Sequence, residues 1–222
     1  MTNKKCPRCR LVNFATDDVC RRCGSLLENS ARSFREVESA APRKPTVLKR
    51  ALITLGVVAL LLFAAYASLL TSSSPISYEQ QQIVERAINI IEAKGFDRNA
   101  FVLRRFVSYR ATDNWWNRWV GHADAYAATN FPFQVVTLYP DFFNLPVDDT
   151  ERAAVLLHES FHLLGHGEEK AFDGVWRAKR ELGWTKERYE ATRVWRNVHE
   201  LTMDYAPSLF QCGAEGHSDC TE

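Results

Sequence analysis

Charged residues are missing from one long stretch of the sequence. No Asp, Glu, Lys or Arg occurs in the 20 residues from Ala51 to Leu70, although such residues make up 25% of the 222-residue chain. A helix of this length extends about 30 Å, the thickness of the hydrocarbon core of a bilayer. Because a core helix of a water-soluble protein carries polar side chains at most turns, the stretch predicts a transmembrane helix over residues 48–70. It lies too far along the chain, and is too long, for a cleaved signal peptide.

Cations are missing from the segment that follows this stretch. Residues 71–77, TSSSPIS, contain none, whereas four Lys or Arg residues lie within residues 43–50. Residues 1–50 carry a net charge of +7 and residues 71–222 one of −6. Because short cationic segments remain in the cytoplasm, the N-terminus is expected there. The chain is therefore expected to be a single-pass membrane protein in which residues 71–222 form an extracytoplasmic domain.

Cysteine is scarce, and four of the six cysteines lie in one short N-terminal segment. Cys6, Cys9, Cys20 and Cys23 form two Cys-x-x-Cys pairs. Two such pairs supply the four thiolates of a tetrahedral Zn²⁺ site, and a segment this small has too little core to fold without a metal ion. Residues 1–27 resemble a zinc-ribbon or zinc-knuckle module, which implies a structural zinc ion. The polar residues 28–47 are expected to be a linker.

A cytoplasmic protein is the expected partner of this zinc-ribbon module. Zinc fingers of similar spacing that bind RNA or ubiquitin carry a tryptophan just before the first cysteine, and this sequence has none there. Nucleic acid is therefore not an expected partner, and the module is expected to be a small docking unit.

The other two cysteines, Cys212 and Cys220, enclose a short loop near the C-terminus. Outside the cytoplasm such a pair meets oxidising conditions, under which disulfides form and persist. A disulfide between these two cysteines is therefore expected. Thiolates in the cytoplasm and a disulfide outside agree with the predicted topology.

Hydrophobic periodicity after the apolar stretch predicts an α+β domain that is mostly helical and contains a small sheet. Helical spacing is found over residues 78–95, 148–164, 168–182 and 185–204. β-Branched and aromatic residues predict strands over residues 101–109 and, more strongly, 133–139. The tryptophan-rich segment at residues 114–120 is either core packing or an aromatic rim that contacts the membrane or the substrate.

The segment VLLHESFHLL contains the pattern His-Glu-x-x-His. His158 and His162 lie one helical turn apart, so both imidazoles can bind one ion from the same face of a helix. Glu159 is turned about 100° from His158, toward a water molecule beside that ion. The motif follows a predicted strand, which as an edge strand would hold an extended peptide.

Residues 133–172 resemble the core of zincin-type zinc metallopeptidases. The resemblance implies a zincin-like fold in which His158 and His162 bind a catalytic zinc ion. It also implies that Glu159 is the general base that deprotonates a zinc-activated water. The resemblance covers about forty residues and not the whole domain.

The third zinc ligand is one of two neighbouring glutamates. Two glycines flank His166 and predict that the helix breaks there. After a break, Glu168 is the third ligand, which is the choice of the gluzincin-type enzymes. In an unbroken helix its rival, Glu169, would lie closer to the face of the two histidines. The break favours Glu168, and His166 is expected to remain outside the ligand set.

A peptidase of this type also needs a donor for the oxyanion that forms during hydrolysis. Tyr189, His199 and Tyr205 lie in the predicted downstream helices and are candidates for this transition-state stabiliser.

These features together predict a membrane-anchored zinc metallopeptidase that hydrolyses peptide bonds in a peptide or protein substrate. Two zinc ions are expected, one catalytic and one structural. The alternative is a catalytically idle zincin-like binding or assembly protein with a zinc-ribbon docking module, and a hydrolase of non-peptide bonds is a third hypothesis. Glu159 favours an enzyme, because a pure binding site needs no base at that position.

Overall fold

The computed structural model describes residues 3–27, 46–121, 125–213 and 218–221, so most of the predicted linker lies outside the described residues. The chain divides into two units, Met1–Gly56 and Val57–Glu222. The helices are α1 (Val47–Thr71), α2 (Tyr78–Ala93), α3 (Asp97–Arg105), α4 (Trp115–Val120), α5 (Pro140–Asn144), α6 (Asp149–Leu163), α7 (Glu168–Leu182), α8 (Lys186–Tyr189) and α9 (Arg193–Tyr205). The strands are β1 (Lys4–Lys5), β2 (Val12–Asn13), β3 (Ser108–Arg110), β4 (Ala127–Asn130) and β5 (Val135–Leu138). The expectation of an α+β protein with mostly helices is confirmed.

The N-terminal segment is built from two similar turns, each of which carries one Cys-x-x-Cys pair. The N–H of Arg10 donates to the carbonyl of Cys6, and the N–H of Gly24 donates to the carbonyl of Cys20, both at 2.9 Å. Strands β1 and β2 pair antiparallel beside the first turn. The buried apolar residues here are Cys6, Cys20 and Leu27. So small a core gives little stability by itself.

Helix α1 contains the uncharged stretch and exceeds the predicted span by one residue at each end. Among the described residues it is the one helix long and apolar enough to cross a membrane. Its side chains are exposed from Val47 to Ala64, and they become partly covered only from Ala65 onward. Apolar side chains on an unburied helix of this length agree with a membrane-spanning segment.

The segment after α1 is tied to the rest of its unit by hydrogen bonds. The guanidinium of Arg110 donates to the carbonyls of Leu70 and Ser73, and its Nε donates to the Ser73 hydroxyl at 2.9 Å. The N–H of Ala111 donates to the carbonyl of Ser74 at 2.8 Å. Because Arg110 satisfies carbonyls at the C-terminus of α1 and itself belongs to β3, it fixes the helix to the sheet.

The sheet has the strand order β3-β5-β4, with β3 parallel and β4 antiparallel to β5. The strand predicted over residues 133–139 is present as β5, but it is the central strand and is buried along its whole length. The outer strand beside α6 is β4, which the sequence analysis did not identify. The expectation that residues 133–139 form the edge strand is therefore wrong, because β3 pairs along one side of β5 and β4 along the other.

Residues 101–109 are mostly helical, which corrects the expected strand. Helix α3 runs to Arg105, and only the last two positions of the segment belong to β3. Ala100 and Leu103, three residues apart, bury one face of α3. Arg104 pairs with Glu85 and Glu92 of α2. These tertiary contacts outweigh the strand propensity of the β-branched and aromatic residues.

Helix α6 is the centre of the main hydrophobic core. Consecutive residues Ala153 to Leu157 are all buried, so the helix is covered on every side and not along one stripe. It packs against α2, α3, α7 and β4. The helix expected over residues 185–204 is divided into α8 and α9 at Thr192, whose hydroxyl caps the N-terminus of α9 and also donates to buried Glu151. The site residues of α6 are thereby held on a fully packed element.

Candidate metal centre and adjoining cavity

Helix α6 presents the two motif histidines side by side. Asp148 caps its N-terminus by accepting hydrogen bonds from the N–H groups of Thr150 and Glu151. His158 and His162, one turn apart near the other end, bring their Nε2 atoms within 3.0 Å. Two imidazole nitrogens at this separation have room for a cation between their lone pairs but not for two N–H protons.

The helix ends where the two glycines predict a break. Gly165 has a φ of +83°, its N–H donates to the carbonyl of His162, and the N–H of His166 donates to the carbonyl of Phe161. This is the hydrogen-bond pattern of a Schellman C-terminus, for which glycine is the favoured residue. The chain then turns and begins α7 at Glu168.

The break brings Glu168, and not Glu169, to the histidines. One Glu168 carboxylate oxygen lies 3.3 Å from His158 Nε2 and 3.4 Å from His162 Nε2. His158, His162 and Glu168 therefore form a group that could hold a metal ion. Glu169 is exposed on α7 and does not belong to this group.

Neighbouring groups set the orientation of both imidazoles. Nδ1 of His162 lies 2.9 Å from the carbonyl oxygen of His166. Because a carbonyl can only accept, Nδ1 donates this hydrogen bond and Nε2 faces Glu168. The ring of His158 packs against Phe172 of α7, with ring centroids 4.4 Å apart. His166 thus supports the site through its backbone while its side chain is exposed.

The electrostatics of the group favour a positive charge beside Glu168. Hydrogen bonds from His158 and then from His162 hold the pKa of Glu168 well below its usual range. Burial alone would lower the pKa of His162, but the hydrogen bond to Glu168 and the charge of Glu159 raise it to about 9. A carboxylate that attracts positive charge in this way could also attract a metal cation.

Glu159 lies beside this group and is held by a strand. Its Oε2 accepts a hydrogen bond of 2.6 Å from the hydroxyl of Thr129 on β4, and Glu159 is only 5% exposed. The neighbouring Ser160 faces the other way, donating to the carbonyl of Leu157 and accepting from Asn99 at 2.7 Å. One carboxylate oxygen is thereby fixed, and Glu159 still contributes to the wall of a cavity.

That cavity has a volume of about 550 Å³ and connects the possible metal ligands to β4. His158, Glu159, His162 and Glu168 all contribute to its wall. Other parts of the lining come from Ala127, Thr129, Phe131, Val155, Val198 and Tyr205. A few polar groups in a mostly apolar concave wall are typical of a binding site.

Comparisons with protein-family models, with curated proteins and with solved structures find no match to this chain. Any function must therefore be argued from the geometry of this cavity.

The three candidate oxyanion donors are placed differently. Tyr205 lines the cavity and stacks on Phe172, with ring centroids 5.3 Å apart and an angle of 8° between the planes. Tyr189 is fully buried, and its hydroxyl donates to Asp148 at 2.8 Å, so it supports the start of α6. His199 packs between the rings of Trp176 and Phe210. Within the described part of the chain, Tyr205 alone of the three reaches the cavity.

Three residues of the site, Thr129, Phe131 and Phe172, are not predicted by any pattern in the sequence. Thr129 and Phe131 lie on or just after β4, whose sequence AATN has too few β-branched or aromatic residues to predict a strand. Phe172 follows the pattern of core residues on α7, and only its position against His158 distinguishes it.

The four N-terminal cysteines form a second group that could hold a metal ion. The sulfur atoms of Cys6 and Cys23 are 3.6 Å apart, and those of Cys9 and Cys20 are 3.4 Å apart. All four sulfurs lie within 4.8 Å of one another.

Cys212 and Cys220 are joined by a disulfide bond. The loop that contains Cys220 is held on α7 by Asp219, which accepts hydrogen bonds of 2.8 Å from both Lys179 and Trp176. Lys179 is almost completely buried, so this ion pair is shielded from water. The disulfide and the ion pair together close the C-terminal segment onto the domain.

Proposed function

We propose that the chain is a membrane-anchored zinc metallopeptidase whose catalytic zinc ion is bound by His158, His162 and Glu168. The observation that carries the proposal is the convergence of these three side chains, with Glu159 beside them, in the wall of one cavity. Two imidazoles and one carboxylate are the ligand set of catalytic zinc in several peptidases, and three protein ligands leave the fourth position open for chemistry.

The distances within this group fit zinc. Ligand atoms that lie about 2.0–2.1 Å from a tetrahedral zinc ion are about 3.3 Å from one another. The three atoms are separated by 3.0, 3.3 and 3.4 Å. The carbonyl of His166 supports this set, because a ligand histidine commonly donates its other ring N–H to such an acceptor.

The chemistry follows from the positions of the protein's own groups. Bound zinc would supply a Lewis acid that polarises the substrate carbonyl and makes water more acidic. Glu159 accepts the proton of the attacking water and passes it to the leaving amine. Thr129 keeps one oxygen of Glu159 occupied, so proton transfer falls to the other oxygen. Tyr205 is the donor available for the oxyanion.

The outer strand β4 supports a polypeptide substrate. It pairs with β5 on one side only, and Ala127, Ala128 and Thr129 line the cavity. An extended peptide can add to such a strand through backbone hydrogen bonds, which places its carbonyl groups in a row along the site. We therefore assign peptide bonds as the target.

The remainder of the proposal concerns the N-terminal unit and the membrane. Sulfur atoms bound to tetrahedral zinc at about 2.3 Å lie about 3.8 Å apart, close to the separations found in the cysteine group. A structural zinc ion bound there would shape a docking module for a cytoplasmic protein.

The cations before α1 orient the helix with residues 71–222 outside the cytoplasm.

Replacement of Glu159 by Gln tests the proposal. The variant keeps the size of the side chain but has no base, so we expect it to fold and to retain zinc while cleavage of unfolded casein falls by about 10²–10⁴-fold. The control is Glu169→Gln, at an exposed position of α7 outside the group, which should leave cleavage unchanged. Equal activity of the Glu159 variant and the parent, or a parent that holds zinc and cleaves nothing, would support the binding-protein alternative.

A further inference from the structure

Three of the six tryptophans form an exposed cluster on the short helix α4. Trp115, Trp116 and Trp119 are 45%, 43% and 76% exposed, and Val120 beside them is 51% exposed. Neighbouring rings in the cluster lie 5.6 and 5.3 Å apart. These four residues are called the tryptophan surface below. So many adjacent large apolar groups left in water mark a contact surface.

The tryptophan surface is attached to the end of α1. The indole N–H of Trp115 donates to the hydroxyl of Ser68 at 3.0 Å, and its backbone N–H donates to Ser72 at 3.2 Å. Tyr66 and Ser108 of β3 share a further hydrogen bond of 3.0 Å. Together with the contacts of Arg110, these hydrogen bonds fix the position of α4 along the axis of α1.

This position of α4 along α1 corresponds to the boundary of the bilayer core. Ser68 comes 17 residues after Ala51, so it lies about 26 Å along an uncharged stretch that extends about 30 Å. Leu69, within the same stretch, is buried by the domain. A domain that packs on residues of the hydrophobic stretch has to touch the bilayer, and its contact residues are tryptophans, the side chains most enriched at membrane interfaces.

A groove of about 410 Å³ connects this region with the candidate metal centre. Ala65 and Leu69 of α1 form one side of the groove, and Trp115 and Trp116 contribute to another. Thr129 and Phe131 line both this groove and the cavity that contains the histidines. The strand that holds Glu159 is therefore the wall between the catalytic cavity and the apolar groove.

We propose that the tryptophan surface lies in the interface of the membrane that α1 spans and holds the Phe131 end of the cavity against that membrane. The lipid bilayer is the occupant because the surface is covalently linked to a membrane helix and lies at the level where that helix leaves the hydrocarbon.

A second inference depends on the proposed function. The substrates are polypeptides anchored in the same membrane, which the enzyme cuts close to the bilayer surface.

Tryptophan fluorescence of the full-length protein in lipid vesicles tests the surface. The other three tryptophans, Trp176, Trp184 and Trp195, are at most 3% exposed. Lipids with brominated acyl chains should therefore quench the α4 tryptophans alone, and bromine near the headgroup end of the chain should quench more than bromine near its methyl end. The variant Trp116→Phe/Trp119→Phe should lose most of this quenching and keep the emission of the buried tryptophans.

Exposure to water distinguishes the bilayer from another occupant. Acrylamide dissolved in the aqueous phase should quench the α4 tryptophans less when the protein is in vesicles. It should quench them more when the protein is in bilayer fragments, free of detergent, that are too small to cover the tryptophan surface. Emission that is equal in brominated and unbrominated vesicles would overturn the proposal. The single variant Trp119→Phe, at the most exposed of the three positions, gives the same answer if the double variant fails to fold.

Cleavage in vesicles tests the substrate class. The probes are unfolded casein and the same casein carrying acyl chains that bind it to the vesicle. The parent should cleave the acylated form about tenfold faster or more, since attachment raises the local concentration. In Trp119→Ser, at a position that lines neither the groove nor the cavity, this ratio should fall while cleavage of unmodified casein stays the same. An unchanged ratio would overturn the substrate class, whereas cleavage of neither casein by the parent would overturn the proposed peptidase and leave the fluorescence result standing.

Discussion

Thr129 on the outer strand donates a hydrogen bond of 2.6 Å to the carboxylate of Glu159 on the central helix. The bond joins the strand that would bind an extended substrate to the carboxylate that would take the proton of the attacking water. A shift of β4 on substrate binding would therefore be transmitted directly to Glu159.

Thr129→Val tests this positioning role. Loss of a hydrogen bond to a charged group costs about 1.5–3 kcal/mol, so we expect kcat to fall about tenfold or more while KM changes little. Thr129→Ser keeps the hydroxyl and should restore most of the activity. Zinc content should be the same in all three proteins, because Thr129 does not touch the possible ligands.

A larger effect of Thr129→Val on KM than on kcat would assign Thr129 to substrate binding instead. Loss of zinc in the valine variant would mean that the strand supports the metal group and not the base.

Local patterns in the sequence predicted much of the site but not its surroundings. The His-Glu-x-x-His spacing sets the two imidazoles on one helical face, and glycines at 165 and 167 predict the break that selects Glu168. Both signals act within about one or two turns of helix. The contact between Thr129 and Glu159 joins residues 30 positions apart, and no local pattern in the β4 sequence encodes it.

The same distinction explains the errors in the fold. Residues 101–109 have strand propensity, but ion pairs between Arg104 and residues of α2 hold the first part as a helix. Residues 133–139 are expected to be an edge strand, but β3 and β4 pair along the two sides of β5. In each case a contact from a distant part of the chain decided the structure.

Membrane topology is tested with a reporter phosphatase that folds only outside the cytoplasm. A fusion after residue 222 should be active, and a matched fusion after residue 46, just before α1, should be inactive. Cys212 and Cys220 should resist alkylation in intact cells until a reductant is added, since their disulfide would form outside the cytoplasm. The opposite pattern of reporter activity would reverse the proposed orientation, and free alkylation of both cysteines would place the disulfide in a reducing compartment.

Glu168 and Glu169 offer a matched pair for the metal centre. Both glutamates are exposed, but Glu168 reaches both histidines across the break at Gly165, whereas Glu169 lies outside the group. Glu168→Gln replaces a charged ligand by a neutral one, so zinc bound at this centre should be lost at a lower chelator concentration, by about tenfold or more. Glu169→Gln should have the chelator profile of the parent.

The measurement is zinc content after dialysis against a series of chelator concentrations. Zinc bound by the four cysteines should be retained in both variants and serves as an internal reference, because four thiolates hold the ion more firmly than a site with an open position. The reverse result, in which Glu169→Gln loses zinc and Glu168→Gln does not, would mean that the helix continues through Gly165 when the metal binds. Equal zinc retention in both variants and the parent would remove Glu168 from the ligand set and leave the two histidines with a third ligand from elsewhere.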